Sequence, residues 1–198
     1  MKRMKTVKVI MTMVLAFAMT TTVSAQAFDK AHMKEIKKEV KKYEKDGWKV
    51  VPGSLSLTDQ LVRSKKAELE EDVEGNPKWT VGVASSVGGV YDAARMQAMT
   101  LAKAELAALL STNLTQKFEA GVNNESLPHA EAESKAKAIM AAKGLSVDQK
   151  LGNPRVLFDA YRTLPNGNVE VTLRVAVAQK KMDEILDSLI TASNDITN

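Results

Sequence analysis

Two histidines, His32 and His129, are the only side chains of this 198-residue chain whose ordinary pKa lies near neutrality. They stand far apart in sequence. Neither falls in the HExxH or HxH spacing that brings two imidazoles to one metal. Each reads as a surface histidine near the start of a helix. The chain has no cysteine, which excludes disulfides, thiolate metal sites, Cys nucleophiles and acylation on Cys. Serine chemistry needs an activated hydroxyl with a base in reach, and no Gly-x-Ser-x-Gly elbow is present. Ser85 and Ser86, beside Gly88 and Gly89, follow a strand and precede a helix, where backbone N–H groups can hold an anion. The Gly-Lys-Ser/Thr ending of a P-loop is missing, so a plain strand-to-helix turn made of small residues competes with that reading. Glu70-Glu71-Asp72 could attract a hard cation, but EF-hand spacing is absent and a solvated charge run explains it better. No catalytic, cofactor-binding or metal-binding residue is assigned. Ser85, Ser86, Gly88, Gly89 and Arg95 remain as candidate contact residues.

The elements that must position these residues read as follows. Asp29–Asp46 is a helix that Asp29 can cap. Met33, Ile36, Val40 and Tyr43 form its stripe, seven lysines occupy the other faces, and Gly47 stops it. Trp48–Val51 is a short strand candidate closed by Pro52-Gly53. Ser56-Leu57-Thr58-Asp59 resembles a capping box for a helix that runs to about Glu71. Its acidic end, Glu68–Glu74, opposes the helix dipole and either meets the Lys-rich first helix or stays exposed. Trp79–Ser85 alternates large and small faces, and Gly82 suggests close approach by another backbone. Ser86–Gly89 reads as a loop.

Val90–Glu119 is a long Ala-rich helix. Gly121–Ser126 breaks it. Pro128 opens another helix to about Lys143, with Gly144 as its stop, and 145–153 is helix or loop. Arg155–Arg162 and Val169–Val177 are strands joined across Asn166-Gly167, a hairpin signal. In the second, Glu170, Thr172 and Arg174 face outward. Gln179–Ile190 is a last amphipathic helix, followed by a frayed tail at 191–198. The whole reads as α+β, a small antiparallel sheet of three to four strands with helices on one face.

The first 25 residues read as an address. Lys2, Arg3, Lys5 and Lys8 precede the apolar run Val9–Met19. Small-x-small triplets then allow cleavage after Ala25 or Ala27, the pattern of a secretory signal peptide. The run is shorter than the roughly 20 residues a bilayer span needs. The formal charge of +4 comes from those four basic residues, so the processed chain is neutral. A general nucleic-acid role is therefore not expected, although the Lys-rich stretch at 30–45 could meet acidic lipid. The expected domains are the signal at 1–25, a helical segment with a short strand at 28–76, an α+β domain at 77–190, and the tail.

Trp79-Thr80-Val81-Gly82-Val83-Ala84-Ser85, followed by Ala93-Ala94-Arg95 and then Ala98, Ala102, Lys103, Glu105 and Leu106-Ala107, resembles the LPP-twenty type of bacterial outer-membrane lipoprotein domain. That domain is similar to the N-terminal domain of the flagellar ring protein FlgT. The resemblance covers about 77–190 and implies a compact α+β domain in an envelope protein that acts through contacts, without catalytic residues. Those lipoproteins carry an N-terminal Cys that this chain lacks, so a lipid anchor on Cys and a membrane tether are not implied.

Two classes of function follow. The first is an exported, periplasmic, non-catalytic envelope protein that binds a partner protein or itself, with no cofactor. The second is a small-ligand-binding module, or a hydrolase, built on the Ser85–Gly89 loop. A pocket at that loop lined by Arg95 and a carboxylate would favour the second.

Overall fold

A computed structural model describes residues 24–122 and 126–196. The basic and apolar stretches of the expected signal lie outside them, as do 123–125 in the expected 121–126 break and the last two residues of the tail. The chain divides into two units, 1–39 and 40–198, and the division falls inside the first helix, α1 (Ser24–Lys45). No helix of the described residues is long and apolar enough to cross a membrane. Asp29 lies within α1 rather than at its start, because Ala25 and Ala27 are strong helix formers ahead of it.

In the second unit, Ser56 caps α2 (Leu57–Leu69) by accepting from the Asp59 N–H at 3.1 Å. The Trp48–Val51 strand reduces to a single bridge between Lys49 and Tyr161. The expected acidic helix end is instead a tight turn. The Asp72 carboxylate accepts from the backbone of Glu74 and Asn76, and those bonds hold its pKa below the usual range, that of Asn76 foremost. Glu70 leaves the helix and accepts from Lys78 Nζ at 3.0 Å and Trp79 Nε1 at 2.9 Å. Glu68 meets Lys65 and Arg174. Glu68, Glu70 and Asp72 thus each find partners in the second unit.

The sheet has three antiparallel strands in the order β1 (Trp79–Gly88), β3 (Val169–Ala178), β2 (Arg155–Thr163). Its central strand closes with β2 through the Asn166-Gly167 turn, as expected. A bulge at Leu157 sets the register of β2. Helices cover both faces, not one. α3 (Tyr91–Ala120), α4 (His129–Leu151) and α5 (Gln179–Ile196) form the layer on one side. On the other, Ala67 of α2 packs against Leu157 and Ala176. Thr172 is accordingly buried. Glu170 pairs with Arg162 at 2.7 Å, and Arg174 lies over the Phe158 ring, so the polar face expected in water is covered.

Residues 94, 98, 102, 106, 110, 114 and 118 of α3 are all buried. A spacing of four overshoots the helical turn by about 40° per step, so this stripe winds around α3 and changes partner along it. Ala94 and Ala98 meet Val171 and Leu173 of the sheet. Leu106, Leu110, Leu114 and Phe118 share the large core with Ile139, Val147 and Leu151 of α4 and Met182, Ile185 and Leu189 of α5. Each such side chain contributes about 1.5–3 kcal/mol on burial. α4 continues through Gly144, because Val147 and Leu151 beyond it are buried. It stops at Gly152 (φ +62°), whose N–H donates to the Asp148 carbonyl at 3.0 Å. α5 likewise runs past its expected end at Ile190 into the expected tail, to Ile196, with Ser193 buried.

Candidate functional site

β1 runs on to Gly88 and takes in Ser85, Ser86 and Gly88, so the expected loop is strand. Ser85 and Ser86 are consecutive strand residues and face opposite sides of the sheet. Ser85 is exposed, whereas Ser86 is buried on the α3 side. A Cβ at Gly88 would stand 2.8 Å from the Ala94 nitrogen, and one at Gly82 would stand 2.7 Å from the Ala102 carbonyl oxygen. These glycines admit the backbone of α3 against the sheet. That confirms the close approach expected at Gly82 and gives Gly88 a packing role. Gly89 has open space around its Cβ position. The four loop residues and Arg95 therefore do not converge on one site.

Arg95 belongs to a different cluster. Its Nε donates to Asp159 Oδ2 at 2.7 Å, and the Tyr91 hydroxyl donates to Asp159 Oδ1 at 2.9 Å. Tyr91 and Arg95 are one turn apart on α3 and so share a face. Asp159 stands on β2, on the same sheet face as Tyr161, whose ring meets Tyr91 edge-on. The Asp159 N–H donates to Gln60 Oε1 of α2 at 2.7 Å. Hydrogen bonding to Asp159 raises the Arg95 pKa. Burial, with Asp159 adding to it, pushes the Tyr91 phenol up to about 12. This network ties α3 to β2 and holds the guanidinium in place.

Beside it lies a groove of about 530 Å³ lined by Asp92, Arg95, Met96, Met99, Thr100, Lys103 and Asp148. All but Asp148 come from one face of α3. Lys103 Nζ reaches Asp148 Oδ1 of α4 at 3.2 Å. The groove has a charged pair at each end and two methionines between, with Met96 well exposed. Such a surface suits a short segment with an apolar middle and polar ends. The Thr100 hydroxyl, which also lines the groove, donates to the Met96 carbonyl of its own helix at 3.1 Å. Sequence reasoning reached Arg95 but not Asp159, Lys103 or Asp148. The helical spacing of Tyr91 and Arg95 was the only local signal.

His129 pairs with Glu119 across the connection between α3 and α4, and that carboxylate raises the imidazole pKa. His129 is largely exposed. Among the described residues, no group of three or more His, Asp or Glu could hold a metal ion.

The two sheet edges differ. On β2, the Leu157 carbonyl accepts from Arg63 Nε and Nη2 at 3.1 and 2.8 Å, and the Asp159 N–H is taken by Gln60. Tyr161 exchanges both backbone hydrogen bonds with Lys49. That edge is closed by the chain itself. No strand of the described residues pairs with the outer edge of β1. There the Val83 N–H donates to the Glu105 carboxylate of α3, and Val83 and Val87 are 47% and 44% exposed. No family model matches this chain, and neither a curated protein nor a solved structure matches it.

Proposed function

We propose that this chain is an exported, non-catalytic protein of the bacterial cell envelope, periplasmic after removal of its signal, that acts through protein–protein contacts or self-assembly. The carrying observation is the exposed apolar flank of β1 and α3. Glu105 reaches the β1 edge from α3, so Leu101 and Leu109, one turn before and after it, lie on that side of the helix. Both are exposed, as are Val83 and Val87. Apolar groups gathered beside an unpaired strand edge are what a contact surface needs. The basic n-region, the apolar run and the small-x-small triplets support export. The resemblance to the LPP-twenty type domain supports an envelope role without chemistry. Light scattering on the purified protein, with capture of partners from envelope extract, tests the reading. Self-association or a reproducible envelope partner is expected, and a strict monomer recovered without partners overturns it.

The Arg95 groove keeps part of a second reading, a small-ligand-binding module: Arg95, Asp92 and Asp148 line it, but it does not lie at the loop where that reading expected its pocket. Ser85–Gly89 are not among the lining residues, so a site on that stretch is not part of it. Thermal shift across a panel of small carboxylates and short peptides separates the two readings.

A further inference from the structure

We infer that the contact is made with a second copy of this chain, by antiparallel pairing of the two β1 edges about a two-fold axis at Ser85. This rests on the contact reading proposed above and names its partner. The Val83 N–H points away from β3, since it is bonded to Glu105. Strand groups alternate, so residues 81, 83, 85 and 87 all turn their N–H and C=O outward. A two-fold at Ser85 sets Ser85 against its own copy and Val83 against Val87 of the partner subunit. Outward residues 83, 85 and 87 then all fall in hydrogen-bonded pairs within the strand. The two half-exposed valines cover each other twice, on the face where both now meet water.

The strand is suited to meeting itself. Trp79–Gly88 has no ionisable side chain and no proline, so a copy brings neither like charges nor a missing donor. The two Glu105 carboxylates do not oppose each other. Val83 and its copy are four residues out of register, about 13 Å apart along the strands. Each Glu105 now caps one outward N–H and must release it, so it acts as a removable guard on the edge. Pairing also makes one six-stranded sheet with the two α3 helices on the same face. Their flanking residues Leu101, Ala104, Ala108 and Leu109 are all exposed in the single copy, which gives the contact a second apolar layer. A two-fold contact of this kind is closed and does not propagate into a fibre.

The absence of cysteine makes the test clean. Ser85→Cys introduces a single thiol at the axis. Opposed Cα atoms of a hydrogen-bonded antiparallel pair stand about 5.5 Å apart, within the range of about 4.4–6.8 Å that a disulfide bridges. Ser134→Cys, exposed on α4, is the control. The expected results are twice the monomer mass by light scattering and a disulfide-linked dimer under mild oxidation for Ser85→Cys but not for Ser134→Cys. The monomer mass should return in Val83→Lys/Val87→Lys with unchanged circular dichroism, and Glu105→Ala should dimerise at lower concentration. A doubled mass without Ser85→Cys cross-linking overturns this interface and leaves the contact reading standing. So does a monomer that captures an envelope partner. A monomer with no partner overturns both.

Discussion

Asp159 shows how one carboxylate can organise three elements. It accepts from Tyr91 and Arg95 of α3 with its side chain, and its backbone donates to Gln60 of α2. Arg95→Met keeps the aliphatic stem and removes the charge. The pair is partly exposed, so the cost in urea unfolding should be modest, about 1 kcal/mol. Tyr91 offers the sharper measurement. Its phenol, raised to about 12 from an ordinary 10, is neutral in the fold over a range where the unfolded chain already ionises. The stability this shift contributes is fully present below pH 10 and is lost as pH rises through 12. Absorbance titration of the phenolates should show a component near pH 12 that Tyr91→Phe abolishes. The same variant should flatten the fall in stability between pH 10 and 12. If that late component survives Tyr91→Phe, the network around Asp159 is misassigned.

At the scale of elements, glycine carries three different meanings, and single alanine substitutions separate them. Gly144 lies inside α4 with open space at its Cβ position, so Gly144→Ala should stabilise by about 0.5–1 kcal/mol. Gly152 ends that helix at positive φ, and Gly152→Ala should cost about 1–3 kcal/mol. Gly82 admits the Ala102 carbonyl of α3, and overpacking there should cost about 1–3 kcal/mol. Urea melts of the three variants read the signs directly; a destabilising Gly144→Ala would show that α4 breaks there. Local pattern explains which elements were legible. Asn166-Gly167 between two alternating runs marks the hairpin, and the small face of β1 marks the helix that packs on it. Ser86 and Gly88 misled, because a turn and a tight strand–helix contact select the same small residues. Gly144 misled because only the burial of Val147 and Leu151 offsets its helix penalty. The covered polar face of β3 was hidden for a related reason. Glu170 and Arg174 look solvated until the hairpin sets them opposite Arg162 and Phe158 and Glu68 arrives from α2. Arg95 and Asp159 are separated by 64 residues, so nothing local announces their pairing.

At the scale of the whole molecule, charge is where sequence and address meet. The full chain has an isoelectric point of about 9.1, which on its own suggests an anionic partner. Its excess of positive charge equals the four basic residues at positions 2, 3, 5 and 8, in a stretch with no acid. If that stretch is a cleaved signal, the working protein is neutral and loses the long-range field that would steer it to nucleic acid. A neutral surface also removes the self-repulsion that opposes pairing of two copies. The expected outcome in an exporting bacterial host is a periplasmic protein whose intact mass begins at Gln26 or Phe28. Its focusing position should fall from basic to near neutral. Lys2, Arg3, Lys5 and Lys8 changed together to Gln should leave the precursor inside the cell, since the n-region charge orients the signal. A full-length basic protein retained in the cytoplasm of the unaltered strain would sink the export reading. It would also return the opening charge to the protein itself, where an anionic partner would have to be sought.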